Sequence, residues 1–157
     1  MSTTVKADVA ILEHAVKAYE STFEKLKNVT NILVSISFEP VPVSLMKQSV
    51  ARGGNAFGLD PSDGPLVVVL FYTSWDKAGD DELVYGATKA SLESIDKEAQ
   101  VNGVSAEYSY VNYAFPGYNK PVASYGPERE AFLQKVGKKY DPDGFFQTAG
   151  VGPFKLK

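Results

Sequence analysis

There is no cysteine in this chain, and that absence removes disulfides, thiolate nucleophiles and zinc–thiolate sites together. A single histidine, His14, leaves neither a Ser-His-Asp relay nor a histidine-rich metal site easy to assemble, so no metal is expected. It lies off the apolar stripe of its segment and reads as a solvated surface residue. Clustered positive charge is scarce as well. The net charge is −3, and no basic run exceeds Gly137-Lys138-Lys139, too little to track phosphates, so no nucleic-acid partner is expected. No apolar run is long enough for a membrane span. The first residues lack the apolar stretch of a secretory signal, which makes a cytoplasmic location the default and leaves the Asn28-Val29-Thr30 sequon without meaning.

What is present is ordinary for a folded soluble chain: 157 residues, 44% hydrophobic and 22% charged, enough for one core with a docked extension. The organising stretch is Tyr108-Ser109-Tyr110-Val111-Asn112-Tyr113. Read as a strand, it sends Tyr108, Tyr110 and Asn112 to one face and Ser109, Val111 and Tyr113 to the other. Good β-formers with half-buried tyrosines are the plain reading. The functional reading is a pocket wall for an aromatic small molecule.

Around it, Val9, Leu12, Val16, Tyr19, Phe23 and Leu26 recur at helical spacing over 6–27. Ile32, Val34, Ile36 and Phe38 alternate as a strand that Pro40 and Pro42 end. The glycines of Gly53-Gly54-Asn55-Ala56-Phe57-Gly58-Leu59 fit no nucleotide-loop pattern and read as a loosened strand or bulge. Leu66 to Tyr72 is an apolar run typical of a central strand, closed by Trp75. Asp80, Asp81 and Glu82 open a helix with Val84, Ala87, Leu92, Ile95 and Ala99 on its buried side and Gly103 as its stop. Pro127 starts a third helix carrying Phe132, Leu133 and Val136, and the turn at Asp141 to Gly144 ends the regular structure. Long helices with few strands predict an α+β fold, an antiparallel sheet with helices packed on one face. Residues 1–122 are read as the α+β unit and 123–157 as a helix and tail docked on it.

Four blocks then carry a resemblance: Tyr110-Val111-Asn112-Tyr113-Ala114, Ser124-Tyr125-Gly126, Lys139 to Gln147, and Phe154-Lys155-Leu156. In this order they resemble the carboxyl end of the berberine-bridge-like, FAD-linked oxidases, particularly the fungal type. Gly53-Gly54-Asn55 and the strand ending in Trp75 are similar to the same family's substrate domain. The resemblance implies a substrate-binding sheet and a segment that in full-length relatives completes the flavin domain. It also implies that the family's amino-terminal flavin domain is missing here, so that this chain holds no FAD, the cofactor of the full-length relatives. The family's Tyr-x-Asn-Tyr motif falls on Tyr110, Asn112 and Tyr113, its tyrosine resembling an active-site group and its asparagine a flavin neighbour. The position of the catalytic base in plant members falls on Leu70, and a leucine cannot take a proton.

Two readings follow. The first is a stand-alone, flavin-free protein that binds an aromatic or polycyclic metabolite and promotes its cyclisation, isomerisation or dehydration in secondary metabolism. Tyr108 and Tyr110 would donate hydrogen bonds to a carbonyl and Glu39 would act as base, with Asn112, Tyr72, Leu70, Ser37 and Trp75 binding substrate. The second is a non-catalytic binding module, or a fragment or subunit of an FAD-linked oxidoreductase. In either case Phe145, Phe146 and Phe154 would form an apolar patch that a homodimer could cover.

Overall fold

The computed structural model describes residues 1–156. The apolar run beginning at Leu66 forms the central strand, β3 (Leu66–Ser74), flanked antiparallel by β1 (Ser2–Lys6) and β2 (Leu33–Val41). A strand covered on both faces has no solvent side to mark with polar residues, which is why β3 reads as continuous Val, Leu and Phe. β1 is short and half polar, and its apolar content did not announce it. Its Thr and Val residues suit a strand once β3 offers a ladder. β2 continues through Pro40 to Val41, beyond the predicted stop, because it pairs on one side only and a missing N–H is harmless on an edge.

Helices α1 (Val9–Leu26) and α3 (Asp81–Val101) cover one face of this sheet, so the fold is the α+β layer expected. Val5, Val67, Val69 and Phe71 meet Ile11, Ala15, Leu92 and Ile95 there, with Ile36 and Phe38 packed at the margin. Asp8 caps α1, its carboxylate accepting from the Ile11 amide at 3.1 Å. α3 buries Val84, Ala87, Leu92, Ile95 and Ala99 as predicted. It ends in a paired cap in which the amides of Gly103 and Val104 donate to the carbonyls of Gln100 and Ala99, at 3.2 and 2.9 Å. Gly103 has φ +67 there, a conformation glycine adopts without strain.

The stripe predicted for α1 is rotated. The buried residues are Ile11, Ala15, Ala18, Thr22 and Leu26, while Val9, Val16 and Phe23 are exposed. Small residues on this side let α1 approach α3 closely, and the hydroxyls of Thr22 and Ser91 join each other and the Ala18 carbonyl across the contact. Close approach wins over side-chain size because a well-paired buried hydroxyl costs little and the backbone gap closes.

Three other expectations are corrected. Tyr108 to Tyr113 is not a strand: the chain makes one bridge, Ser105 to Val5, runs irregularly, then forms a short 3₁₀ turn at Val111–Tyr113. The nearest free edge is that of β1, where Val104 takes the Lys6 amide and the Asn119 side chain donates to the Ser2 carbonyl. With no ladder to join, strand propensity finds no partner. The glycine segment is not a strand either, but a turn after an unpredicted helix, α2 (Val43–Ala51). Finally, regular structure does not stop at Gly144. After α4 (Pro121–Ser124) and the predicted α5 (Pro127–Tyr140), the Asp141 carboxylate accepts from the amides of Phe145 and Phe146 and starts a one-turn helix, α6 (Phe145–Thr148). No helix among the described residues is long and apolar enough to cross a membrane.

Candidate functional site

The face of the sheet away from α1 and α3 is where the candidate residues gather. Directly paired residues in antiparallel strands share a face, so register alone puts on it the rungs of Thr4, Val68 and Glu39, of Ser2, Leu70 and Ser37, and of Tyr72 and Ser35. α2 and the turn after it stand on one side of this face, and the tyrosine segment crosses on the other. Between them lies a half-open cavity of about 450 Å³ that brings Glu39, Tyr108 and Tyr110 together. Val68 floors it, and Leu45 and Met46 of α2 with Phe57 and Leu59 of the turn supply most of its apolar wall.

The two phenols are held differently. Tyr108 stacks on Tyr125, centroids 6.0 Å apart and 27° between planes, and Tyr125 meets the edge of Phe57 at 5.6 Å. Burial, reinforced by the neighbouring Tyr125 and Tyr110, pushes the Tyr108 phenol up to about 12. It therefore stays protonated at neutral pH and is a hydrogen-bond donor, not a base. Tyr110 packs edge-on to Tyr113 at 4.9 Å, and its oxygen accepts from Asn112 Nδ2 at 2.8 Å. With that lone pair engaged, the Tyr110 proton is free to be donated elsewhere.

The opposite wall is fixed by one side chain. Asn55 Oδ1 accepts from the amides of Phe57 and Leu59 at 3.0 and 3.2 Å, while Nδ2 donates to the Leu59 carbonyl at 2.9 Å and to Ser49 Oγ at 3.2 Å. Gly58, at φ +75, lies so close to the Tyr125 carbonyl that a Cβ would sit 2.6 Å from its oxygen. Gly58 thus serves the docking of the turn onto the aromatic stack.

A second cavity of about 390 Å³ opens further along the same sheet and takes Leu70, Tyr72, Trp75 and Asn112. Trp75 is a buttress: its indole N–H donates to Asp81 at 2.8 Å and its ring meets Tyr85 edge-on at 5.1 Å, which in turn stacks on Phe115. The candidates thus divide, with Glu39, Tyr108 and Tyr110 in one cavity and Leu70, Tyr72, Trp75 and Asn112 in the other. The Asn112 to Tyr110 bond links the two, and Ser37 lies on the rung between and lines neither. The row of Tyr108, Tyr110 and Asn112 expected from strict alternation is broken because the 3₁₀ turn swings Asn112 away.

Sequence reasoning missed the wall from α2: Leu45, Met46, Gln48 and Arg52. The available signal was Val43, Met46 and Val50 at helical spacing after Pro42, a short pattern easily lost between a strand and a glycine turn. A wider polar cleft of about 690 Å³ runs along β1, past Asp96, Lys97 and Lys120. Of its carboxylates, Asp96 is already engaged, accepting from the hydroxyls of Thr3 and Tyr118.

Against known proteins, the chain is similar to a segment of fungal FAD-dependent monooxygenases. It is 31% identical over 154 residues to the FAD-dependent monooxygenase drtC of Aspergillus calidoustus, covering 96% of this chain and 29% of that protein. Identity to FUP4 of Fusarium proliferatum is 32% over 160 residues, 99% of this chain and 31% of the relative. For sdcF of Emericella nidulans it is 39% over 110 residues, 70% and 23%. The chain therefore spans less than a third of the length of these relatives. No protein-family model and no solved structure matches it.

The Gly53–Gly58 turn does not have the form of a pyrophosphate-binding turn. A pyrophosphate sits where a glycine-rich turn leads from a strand into a helix. Here the Gly53–Gly58 turn follows a helix and is filled by its own Asn55 and by the contact of Gly58 with Tyr125.

Proposed function

We propose that this chain is a substrate-binding unit, related to a segment of the berberine-bridge-like FAD-linked oxidases, that holds a small aromatic or polycyclic metabolite of secondary metabolism on the sheet face away from α1 and α3. The observation that carries the reading is the convergence of Glu39, Tyr108 and Tyr110 on one largely apolar cavity. Apolar walls would hold the ring system, and Tyr108 and Tyr110 would donate to one carbonyl oxygen. Glu39 would take a proton from the carbon beside that carbonyl while the phenols stabilise the enolate oxygen. The enolate carbon then closes on a second electrophilic carbon, or the proton returns at a new position, or water leaves. Each outcome is redox-neutral and uses only groups in this cavity, so this chain works without FAD in this reading. The Tyr110, Asn112 and Tyr113 motif supports the kinship.

A second reading, a subunit or module of an FAD-linked oxidoreductase, is favoured by α5, which buries none of its residues. One experiment separates the two. Freshly purified protein is scanned for flavin absorbance, then incubated with aromatic and polycyclic carbonyl compounds and followed by mass spectrometry. Products that are isomers of the substrate or its dehydration products, formed without flavin and lost on Glu39→Gln, support the first. Stoichiometric flavin released on denaturation, or binding without any turnover, moves the assignment to the second.

A further inference from the structure

We infer that the ligand of the α2-side cavity carries an anionic group, a carboxylate or an acidic enol, and that Arg52 is the residue that selects it. This rests on the cavity being a ligand site, as proposed above, and adds what it discriminates. The polar groups of the cavity are unequal in their freedom. Asn55 and Ser49 are consumed in holding the turn. Tyr108 is kept as a donor by burial and by its tyrosine neighbours. Tyr110 has its oxygen engaged by Asn112 and its proton to spare.

Arg52 caps the carboxyl end of α2, its backbone amide donating to the carbonyls of Ser49 and Val50, and its side chain lines the cavity. No ion pair engages its guanidinium among the described residues; the ion pairs present are Lys27 with Glu24 and Lys89 with Glu93. The cavity thus offers two phenol protons and a free guanidinium fork against a single carboxylate, Glu39, across the sheet. A ligand that satisfies this set is rich in acceptors. Its ring lies on Leu45, Met46, Phe57 and Val68, its carbonyl meets the phenols, and a planar anion takes the two-pronged fork that arginine, unlike lysine, presents.

The test titrates the intact chain with two probes of one shape, 2-naphthoate and its neutral methyl ester, at pH 7 and low salt. We expect the anion to bind about tenfold tighter than the ester, between a screened surface pair and a desolvated charge-assisted bond. Arg52→Gln should erase that preference chiefly by weakening the anion, and Arg52→Lys should restore only part of it. Added salt should narrow the gap in the wild type alone. Equal binding of both probes to the wild type, or a preference that survives Arg52→Gln, overturns the selection by Arg52 and leaves the cavity assignment standing. Failure of the ester to bind the wild type overturns the cavity assignment itself.

Discussion

The sheet with its two long helices and the stretch from Pro127 onward are built from similar raw material and end in opposite states. In the first, Val5, Val69, Phe71, Leu92 and Ile95 are fully buried. In the second, α5 buries nothing, and Phe132, Phe145 and Phe146 are 51%, 60% and 65% exposed. Apolar spacing alone does not distinguish them, since Phe132, Leu133 and Val136 look as good on a helix as Leu92 and Ile95. What differs is the presence of a surface to pack on: α3 faces a sheet, whereas α5 has only its neighbouring short turns. A helical stripe is an offer of burial, and the fold decides whether it is taken up.

The largest test of this contrast is a pair of truncations. Phe71→Ala should destabilise by about 3–5 kcal/mol, since it empties a fully packed site. Phe146→Ala should move stability by no more than about 0.5 kcal/mol. Chemical denaturation of both variants checks this, and comparable losses would mean that the carboxyl stretch is packed after all. If Phe146→Ala instead lowers the mass seen by light scattering from twice 17.0 kDa to the single chain, those phenylalanines form the homodimer contact that the exposed patch leads us to expect.

Next in size is Gly58→Ala. The added methyl would meet the Tyr125 carbonyl at 2.6 Å in a left-handed backbone, which should cost about 1–3 kcal/mol. Because the turn is a cavity wall, affinity for aromatic probes should fall with it. Loss of stability with unchanged affinity would detach the turn from the site.

The smallest effect is in alkaline titration. Burial raises the Tyr108 phenol from 10.0 to about 12, and Tyr118 and Tyr125 are also raised, chiefly by burial. Between these values the unfolded chain releases the proton while the folded chain keeps it, so stability should fall as pH rises from 10 towards 12. Tyr108→Phe should make that fall shallower. Thermal melts of both proteins across this range check it, and parallel curves would mean the phenol is solvated in the folded state.

Legibility in the sequence followed the same division. β3 and α3 were readable because their patterns match their packing: an unbroken apolar run for a strand covered on both faces, and a regular stripe behind an acidic first turn. β1 was hidden because pairing with β3, rather than its own content, makes it a strand. In α1 the larger residues misled, since Ala15, Ala18 and Thr22 win the interface by being small. At the site, Tyr108 and Tyr110 were nominated from a strand that does not form and Glu39 from one that does, β2, and they converge because β2 and the crossing segment bound the same cavity. Arg52 and its neighbours on α2 were invisible because nothing local tells a short helix that it will wall a pocket.

The most direct test of the central claim is a binding and turnover comparison of the wild type with Tyr110→Phe, using aromatic carbonyl compounds and a melting curve for each protein. Removing one hydroxyl leaves a ring that still packs on Tyr113. We expect the melting temperature to stay close to that of the wild type while turnover falls about ten- to a hundredfold, the loss of one hydrogen-bond donor to a developing oxyanion. Unchanged turnover, or a fall in turnover that merely follows a fall in stability, would contradict the assignment of the tyrosine cavity as the place where this chain acts.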